Sequence, residues 1–152
     1  MRLLAVVALF AFTVSTAFAE DKPEAKAKEA AIALLKAVKA KDLDAILKMT
    51  AAPFVYKDGD KPKVLKDEAA VKAWIKERLE ELKNTDAVPT ELDGVVTFAS
   101  VKENIQDKDD QKLVEDAVGK DGFVALTKAD GKLVIILVKI KDGKATIVGI
   151  GQ

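Results

Sequence analysis

Six consecutive apolar residues, Leu133 to Val138, lie between two turn signals and constrain the fold more than any other segment. Asp130-Gly131 precedes this run and Asp142-Gly143 follows the strand, and both pairs suit the positive backbone angles of tight hairpin turns. A strand that is apolar on both sides needs cover on both faces, whereas the alternating Lys139-Ile140-Lys141 emerges into water. The sequence therefore predicts a central strand of an antiparallel sheet, with helices packed against it.

Neighbouring strands and a short helix complete the carboxyl-terminal half. The β-branched and aromatic residues that favour strands recur in four segments: Val95 to Val101, Phe123 to Thr127, Leu133 to Ile140 and Ala145 to Ile150. A short helix begins at the acidic stretch from Asp107 and ends at Gly119. Its apolar positions are Leu113, Val114, Ala117 and Val118.

Amphipathic helices in the amino-terminal half supply the cover that the sheet needs. The first follows Pro23, and its apolar stripe consists of Ala27, Ala31, Leu34, Leu35 and Val38. Asp42 caps a second helix that ends near Thr50, with Leu43, Ile46 and Leu47 facing inward. Asp67 caps a third helix, which ends between Asn84 and Pro89 and has the stripe Val71, Trp74, Ile75, Leu79 and Leu82. Asp42 and the neighbouring Asp44 are interpreted as capping residues.

A short hairpin separates the second helix from the third. Its strands are Phe54-Val55-Tyr56 and the segment around Lys63-Val64-Leu65, and Asp58-Gly59-Asp60 supplies the turn. This order of two helices, a hairpin beginning at Pro53, a third helix and long strands resembles the nuclear transport factor 2-like (NTF2-like) superfamily, over nearly all of Glu24 to Gln152.

The resemblance implies a curved sheet wrapped on a long helix into a cone, with a pocket open at one end and frequent dimerisation. The helix at 107 to 118 departs from the simplest pattern of the superfamily, and we expect it to cap or fill the cone. The predicted fold class is therefore α+β, in which a helical hairpin, a short β-hairpin and a third helix pack on a curved antiparallel meander. Residues 20–152 suffice for one such domain.

The first nineteen residues have the features of an export signal. Arg2 precedes an apolar run from Leu3 to Phe12, and Ala17-Phe18-Ala19 places small residues where the signal peptidase cleaves, between Ala19 and Glu20. The alternative, an uncleaved anchor, needs about 20 predominantly apolar residues, and Leu3 to Val14 is too short. We predict an exported protein, periplasmic or secreted, without stable membrane anchoring after cleavage.

The residue inventory excludes several kinds of chemistry. The chain contains no Cys and no His, which removes thiol nucleophiles, Ser-His pairs and the usual zinc, copper and haem ligands, so no cofactor is predicted. The 25 basic and 25 acidic residues balance, and cleavage would remove Arg2 and leave a net charge of −1. A near-neutral chain has no field that would recruit nucleic acid.

Arg78 is the candidate recognition residue, since it would be the only Arg left after cleavage. At 100° per residue it lies about 40° from the centre of the apolar stripe of the third helix. A cation there could stand at the floor or rim of a pocket and hold an anionic ligand beside Trp74 and Tyr56. Alternatively, its stem packs along the core edge while its head reaches water or pairs with a carboxylate.

Catalytic relatives within the superfamily, such as ketosteroid isomerase, use Asp and Tyr side chains in the pocket. The inward stripe of the first helix here holds only Ala, Leu and Val, and Asp58, where a base could lie, belongs first to a turn. Asp107, Asp109 and Asp110 lack the Gly and Glu spacing of a calcium loop and suit a helix start.

Two classes of function remain. The first is a non-catalytic exported module that binds a small apolar or weakly anionic ligand, or another protein, and could form a homodimer through its sheet. The second is a small isomerase, cyclase or hydro-lyase that transfers protons with Asp or Tyr. If Trp74, Phe98 and Phe123 filled the cone, neither pocket function would be available, and a structural or dimerisation role would remain.

Overall fold

The computed structural model describes residues 22–59 and 61–152. The predicted export signal, with its cleavage site at Ala19 and Glu20, lies outside the described residues, as does Asp60 of the hairpin turn. Within the described part of the chain, no helix combines the length and the apolarity that crossing a bilayer requires.

Three helices form the layer on one side of the sheet, as the apolar stripes predict. They are α1 (Pro23–Lys39), α2 (Leu43–Met49) and α3 (Glu68–Glu81). The Asp42 carboxylate accepts a hydrogen bond from the Ala45 N–H at 2.9 Å, and Asp67 accepts one from the Ala70 N–H at 2.8 Å. Both predicted amino-terminal caps are therefore present, and they satisfy donors that a helix leaves unpaired.

Six strands form one sheet in the order β2-β1-β6-β5-β4-β3. The strands are β1 (Thr50–Asp58), β2 (Lys61–Leu65), β3 (Gly94–Thr97), β4 (Phe123–Ala129), β5 (Lys132–Lys141) and β6 (Lys144–Gly151). The antiparallel meander is confirmed from β3 to β6, but β1 runs parallel to β6, so the hairpin extends the sheet and makes it mixed. Positive φ angles at Asp130, Gly131, Asp142 and Gly143 confirm the two tight turns.

The strand predicted over Val95 to Val101 is shorter than expected. It ends at Thr97, and Phe98–Val101 forms the short helix α4, followed by a 3-10 turn at Lys102–Asn104. The partner strand β4 begins at Phe123, which pairs with Thr97, so the residues after Thr97 have no strand beside them. A helical turn supplies the backbone hydrogen bonds that the sheet no longer offers, and it buries Phe98 to 2% exposure.

The last helix, α5 (Lys108–Val118), packs on the side of the sheet opposite α1–α3. The expectation that this segment caps or fills the cone is therefore wrong. Its buried residues join strand side chains that alternate to the far face, forming an outer core of Val55, Phe98, Val114, Ala117, Val118, Val124, Leu137 and Val148. The Asp107 carboxylate caps α5 by accepting hydrogen bonds from the N–H groups of Asp109 and Asp110, which confirms the helix-start interpretation.

Both faces of the central strand are covered, as its apolar run predicts. The cluster of buried residues between the sheet and α1–α3 is called the inner core here. It includes Val134, Ile136 and Val138 of β5 together with the stripe of α1, whereas Leu137 lies in the outer core. Leu133, the first residue of the run, is the exception because it remains 47% exposed. The fold class α+β is thus confirmed, with helices on both sides of the sheet.

Candidate functional site

A pocket of about 580 Å³ opens between the inner helices and the sheet. Residues from α1, α2 and α3 form one side, and residues from β1, β5 and β6 form the other. Its apolar wall consists of Leu34, Val38, Ile46, Phe54, Tyr56, Trp74, Ile75, Leu79, Leu82, Val134 and Ile150. The stripe residues of α1 and α3 therefore contribute both to the hydrophobic core and to the lining of this pocket.

Polar and charged residues gather at the mouth of the pocket. Lys57, Gly59, Glu77, Arg78 and Gln152 line it and are exposed, whereas Leu34, Ile46, Phe54, Ile75, Leu79 and Val134 are buried. Lys57 lines the mouth near its backbone, because alternation along β1 places its side chain on the face opposite Phe54 and Tyr56. On that opposite face, a Cβ added to Gly151 of the neighbouring strand would lie 3.7 Å from the Lys57 Cβ. The pocket thus has an apolar interior and a charged opening.

An aromatic cluster forms the wall nearest the mouth. The Trp74 ring lies 5.5 Å from the Phe54 ring and 5.1 Å from the Tyr56 ring, measured between centroids, and both pairs are tilted. Both centroid distances fall in the range usual for interacting aromatic side chains. Phe54 and Tyr56 are two apart on β1 and therefore face α3 together.

Arg78 lies one helical turn after Trp74 and covers its ring. The guanidinium carbon is 5.7 Å from the Trp74 ring centroid, within the range of a cation–π contact. The Arg78 Nη1–H donates to Glu81 Oε2 at 2.6 Å, and the two side chains are 53% and 55% exposed. The geometry therefore places Arg78 at the rim of the pocket, beside Trp74 and Tyr56, and also pairs its head with a carboxylate.

Two features of this site are not apparent from the apolar pattern. Glu81 is the ion-pair partner of Arg78, and its i,i+3 spacing on a helix is the signal that could have identified it. The second feature is the Trp74 indole N–H, which is buried and has no hydrogen-bond acceptor among the described residues. Leaving such a donor unpaired costs about 1–3 kcal/mol, and no sequence signal predicts it.

The other sequence candidates lie elsewhere or serve the fold. The backbone of Asp58 pairs with Lys61, and Gly59 has a φ of 66°, as the turn interpretation predicts. The Asp107 cluster starts α5 on the outer side of the sheet. Across residues 22–59 and 61–152, no group of three or more His, Cys, Asp or Glu side chains could hold a metal ion.

The large aromatic side chains do not fill the pocket. Phe98 lies in the outer core, on the far side of the sheet, and Phe123 lies in the inner core opposite Val138. Trp74 borders the pocket and leaves it open. Trp74, Phe98 and Phe123 therefore do not fill the space in which a ligand or substrate could bind.

Comparison with known proteins finds similarity among solved structures. No protein-family model matches the chain, and no curated protein matches it. Among solved structures, the chain is similar to an NTF2-like protein of unknown function from Pseudomonas putida KT2440, with 9% identity, a TM-score of 0.44, and coverage of 84% of this chain and 83% of that one. It is also similar to a designed NTF2 protein, with 9% identity, a TM-score of 0.36, and coverage of 78% and 89%.

Proposed function

We propose that this protein binds a small ligand whose body is apolar and whose one polar or anionic group lies at the pocket mouth. The observation that carries the proposal is the pocket of about 580 Å³, with its apolar wall and exposed charged rim. Small-ligand sites span roughly 300–1,000 Å³ and combine an apolar lining with a few polar groups. A ligand of this class would bury its body against Trp74 and Leu34, close to Arg78.

The unpaired Trp74 N–H supports the same proposal. This donor is buried and has no acceptor among the described residues, so a small shift of the pocket wall that exposes it would let a ligand or a water molecule supply one. Together with the Arg78 guanidinium, it would give the site two donors on neighbouring turns of one helix. Two donors beside an apolar wall favour an amphiphile with an acceptor group at one end.

Binding without catalysis accounts for the site better than the isomerase, cyclase or hydro-lyase alternative. Proton transfer from carbon requires a base held within the apolar part of a pocket, where burial tunes its proton affinity. Among the described side chains, Glu77 is the carboxylate that lines the pocket, and it lies at the exposed mouth. Tyr56 remains as a lining hydroxyl, with no described base beside it.

Filling part of the pocket should weaken the binding of a neutral apolar probe. Val38 of α1 lines the pocket and is half-buried, so Val38→Phe would place a ring in the ligand's space. We expect the affinity for N-phenylnaphthylamine (NPN), measured by the rise in its fluorescence, to fall at least about tenfold, because the apolar contacts of its rings are lost.

The matched control makes the same change on the other side of the sheet. Val64 of β2 is also half-buried, but it packs against the outer core and does not line the pocket. Val64→Phe should leave NPN affinity unchanged. Equal affinity in the wild type, Val38→Phe and Val64→Phe would contradict the proposed site.

We further propose that the protein acts after export, on the strength of the Met1 to Ala19 signal. Expression of the full-length chain in a bacterial host, followed by fractionation and amino-terminal sequencing, tests this. The expected product is an exported chain that begins at Glu20. Recovery of the intact Met1 terminus in the membrane fraction would overturn it.

A further inference from the structure

The contact between Arg78 and Glu81 leaves most of the guanidinium free. Arg offers five N–H donors in a planar fork, and the structure shows one of them, on Nη1, donating to Glu81. Arg78 makes no other hydrogen bond within the described part of the chain. The remaining donors stand at the rim of the pocket, above the Trp74 ring.

The pair is also weakly held. Both side chains are more than half exposed, and an ion pair in that setting contributes little because water and salt screen it. Glu81 does not line the pocket, so it can leave Arg78 without disturbing the wall. An incoming anion would compete with the Glu81 carboxylate for the same cation.

We infer that Glu81 makes this pocket favour neutral over anionic ligands. Its carboxylate already pairs with Arg78, so a bound carboxylate or sulfonate must either displace it or bind beside its negative charge. The inference rests on the proposed function, because it concerns ligands bound in the same pocket. The ligand class that follows is an apolar molecule with one anionic group positioned at Arg78. Glu81 weakens the binding of such a ligand and leaves a neutral ligand unaffected.

The other charges at the mouth do not replace this pair. Glu77 lines the pocket one residue before Arg78, and its charge opposes an anion as Glu81 does. Lys57 contributes a positive charge, but alternation along β1 directs its side chain to the opposite face of the sheet. Arg78 is therefore the cation that an anionic group on a pocket ligand would meet.

Two dyes with nearly the same apolar body test the inference. Anilinonaphthalene sulfonate (ANS) carries a sulfonate that NPN lacks, so the ratio of their dissociation constants isolates the contribution of the anion. Trp74 is the only Trp in the chain and lines the pocket, so its fluorescence reports dye binding. Quenching that Val38→Phe weakens and Val64→Phe leaves unchanged assigns the dye to this site. Titrations would use the full protein, first at low ionic strength and then at about 1 M salt, where the Debye length is about 3 Å.

The variants are Glu81→Gln, Arg78→Leu and, as matched control, Glu80→Gln. Glu80 lies on the same helix and loses the same charge, but it pairs with Lys76 and does not line the pocket. At low salt we expect Glu81→Gln to tighten ANS binding about two- to fivefold and Arg78→Leu to weaken it about three- to tenfold. Glu81→Gln should not change NPN binding, Glu80→Gln should leave the binding of both dyes unchanged, and high salt should remove the effect of Glu81→Gln on ANS binding.

The outcomes separate the inference from the proposed function. If both dyes quench Trp74 but Glu81→Gln leaves ANS affinity unchanged or lowers it, Glu81 does not oppose the anion and the inference is overturned, while the pocket function stands. An equal gain in Glu80→Gln would also overturn it, because the effect would then be general electrostatics. Failure of both dyes to bind the wild type would overturn the inference and the proposed function together.

Discussion

Replacing Phe98 with Ala should lower the free energy of unfolding by about 3–5 kcal/mol, the usual cost of removing a buried aromatic side chain. Phe98 is 2% exposed and lies in the outer core with Val118 and Val124. Its backbone N–H donates to the Gly122 carbonyl at 2.8 Å, which holds the end of β3 against the start of β4. Truncation would leave a cavity beneath α5, and the side chains around it could close only part of that space. Urea unfolding followed by circular dichroism measures the loss.

Leu133→Ala is the control for this prediction. Leu133 is also a large apolar residue, but it is 47% exposed, so its truncation should cost less than about 1 kcal/mol. If Phe98→Ala cost no more than Leu133→Ala, the outer core would not contribute to stability as the packing indicates. The arrangement of α5 on the outer face of the sheet would then be wrong.

A methyl group at position 149 should also destabilise the fold, in this case by overpacking the core. Gly149 is buried in β6, between β5 and the parallel strand β1. A Cβ built there would lie 2.6 Å from the Val55 carbonyl oxygen and 2.8 Å from Leu137 Cδ1. The oxygen belongs to the backbone of a paired strand and cannot move without disturbing the pairing. We expect Gly149→Ala to cost about 1–3 kcal/mol, the range for overpacking a core.

Gly151→Ala, two residues along the same strand, is the matched control. A Cβ there would have Lys57 Cβ as its nearest neighbour at 3.7 Å, an ordinary contact, and the backbone is not in the left-handed region. The change in the free energy of unfolding should be small. Ala causes no clash at this position, and it slightly restricts the unfolded chain, which favours the folded state. Equal denaturation midpoints for the two Ala variants would contradict the parallel pairing of β1 with β6.

Local signals in the sequence account for the elements that the structure confirms. Caps and turns depend on a few neighbouring residues, so Asp42, Asp67 and Asp107 could be assigned from their positions before apolar stripes. The two Asp-Gly turns of the meander were predictable for the same reason. The apolar run of β5 also predicted the cover on both faces, because it left no polar face for water.

Non-local pairing accounts for what the sequence could not predict. Phe98 and Val101 are strand-forming residues, but β4 offers no partner beyond Phe123, so tertiary context overrides their local preference. The parallel pairing of β1 with β6 joins residues 94 to 97 positions apart, and the side of the sheet that α5 covers depends on the same long-range arrangement. The homodimer through the sheet stays a prediction, and α5 already covers part of the outer face.

At the candidate site, helical periodicity sufficed to bring Arg78 towards Trp74, and strand and turn signals placed Tyr56 on the short hairpin. The structure places all three at one pocket. The unpaired state of the Trp74 N–H depends on every atom around it, so periodicity could not reveal it. The Glu81 contact was accessible from helical spacing but depends on which rotamers the two side chains adopt.

The most direct test of the pocket as a ligand site is the indole N–H resonance of Trp74 in a ¹H–¹⁵N correlation spectrum during titration with NPN. The chain has one Trp, so a single indole signal reports from the pocket wall without assignment ambiguity. We predict that this signal shifts progressively and saturates with the same dissociation constant as the NPN fluorescence, while the backbone amide of Val64 on the outer side does not move. An indole signal that stays fixed while NPN fluorescence rises would show that the probe binds elsewhere, and would contradict the proposed site.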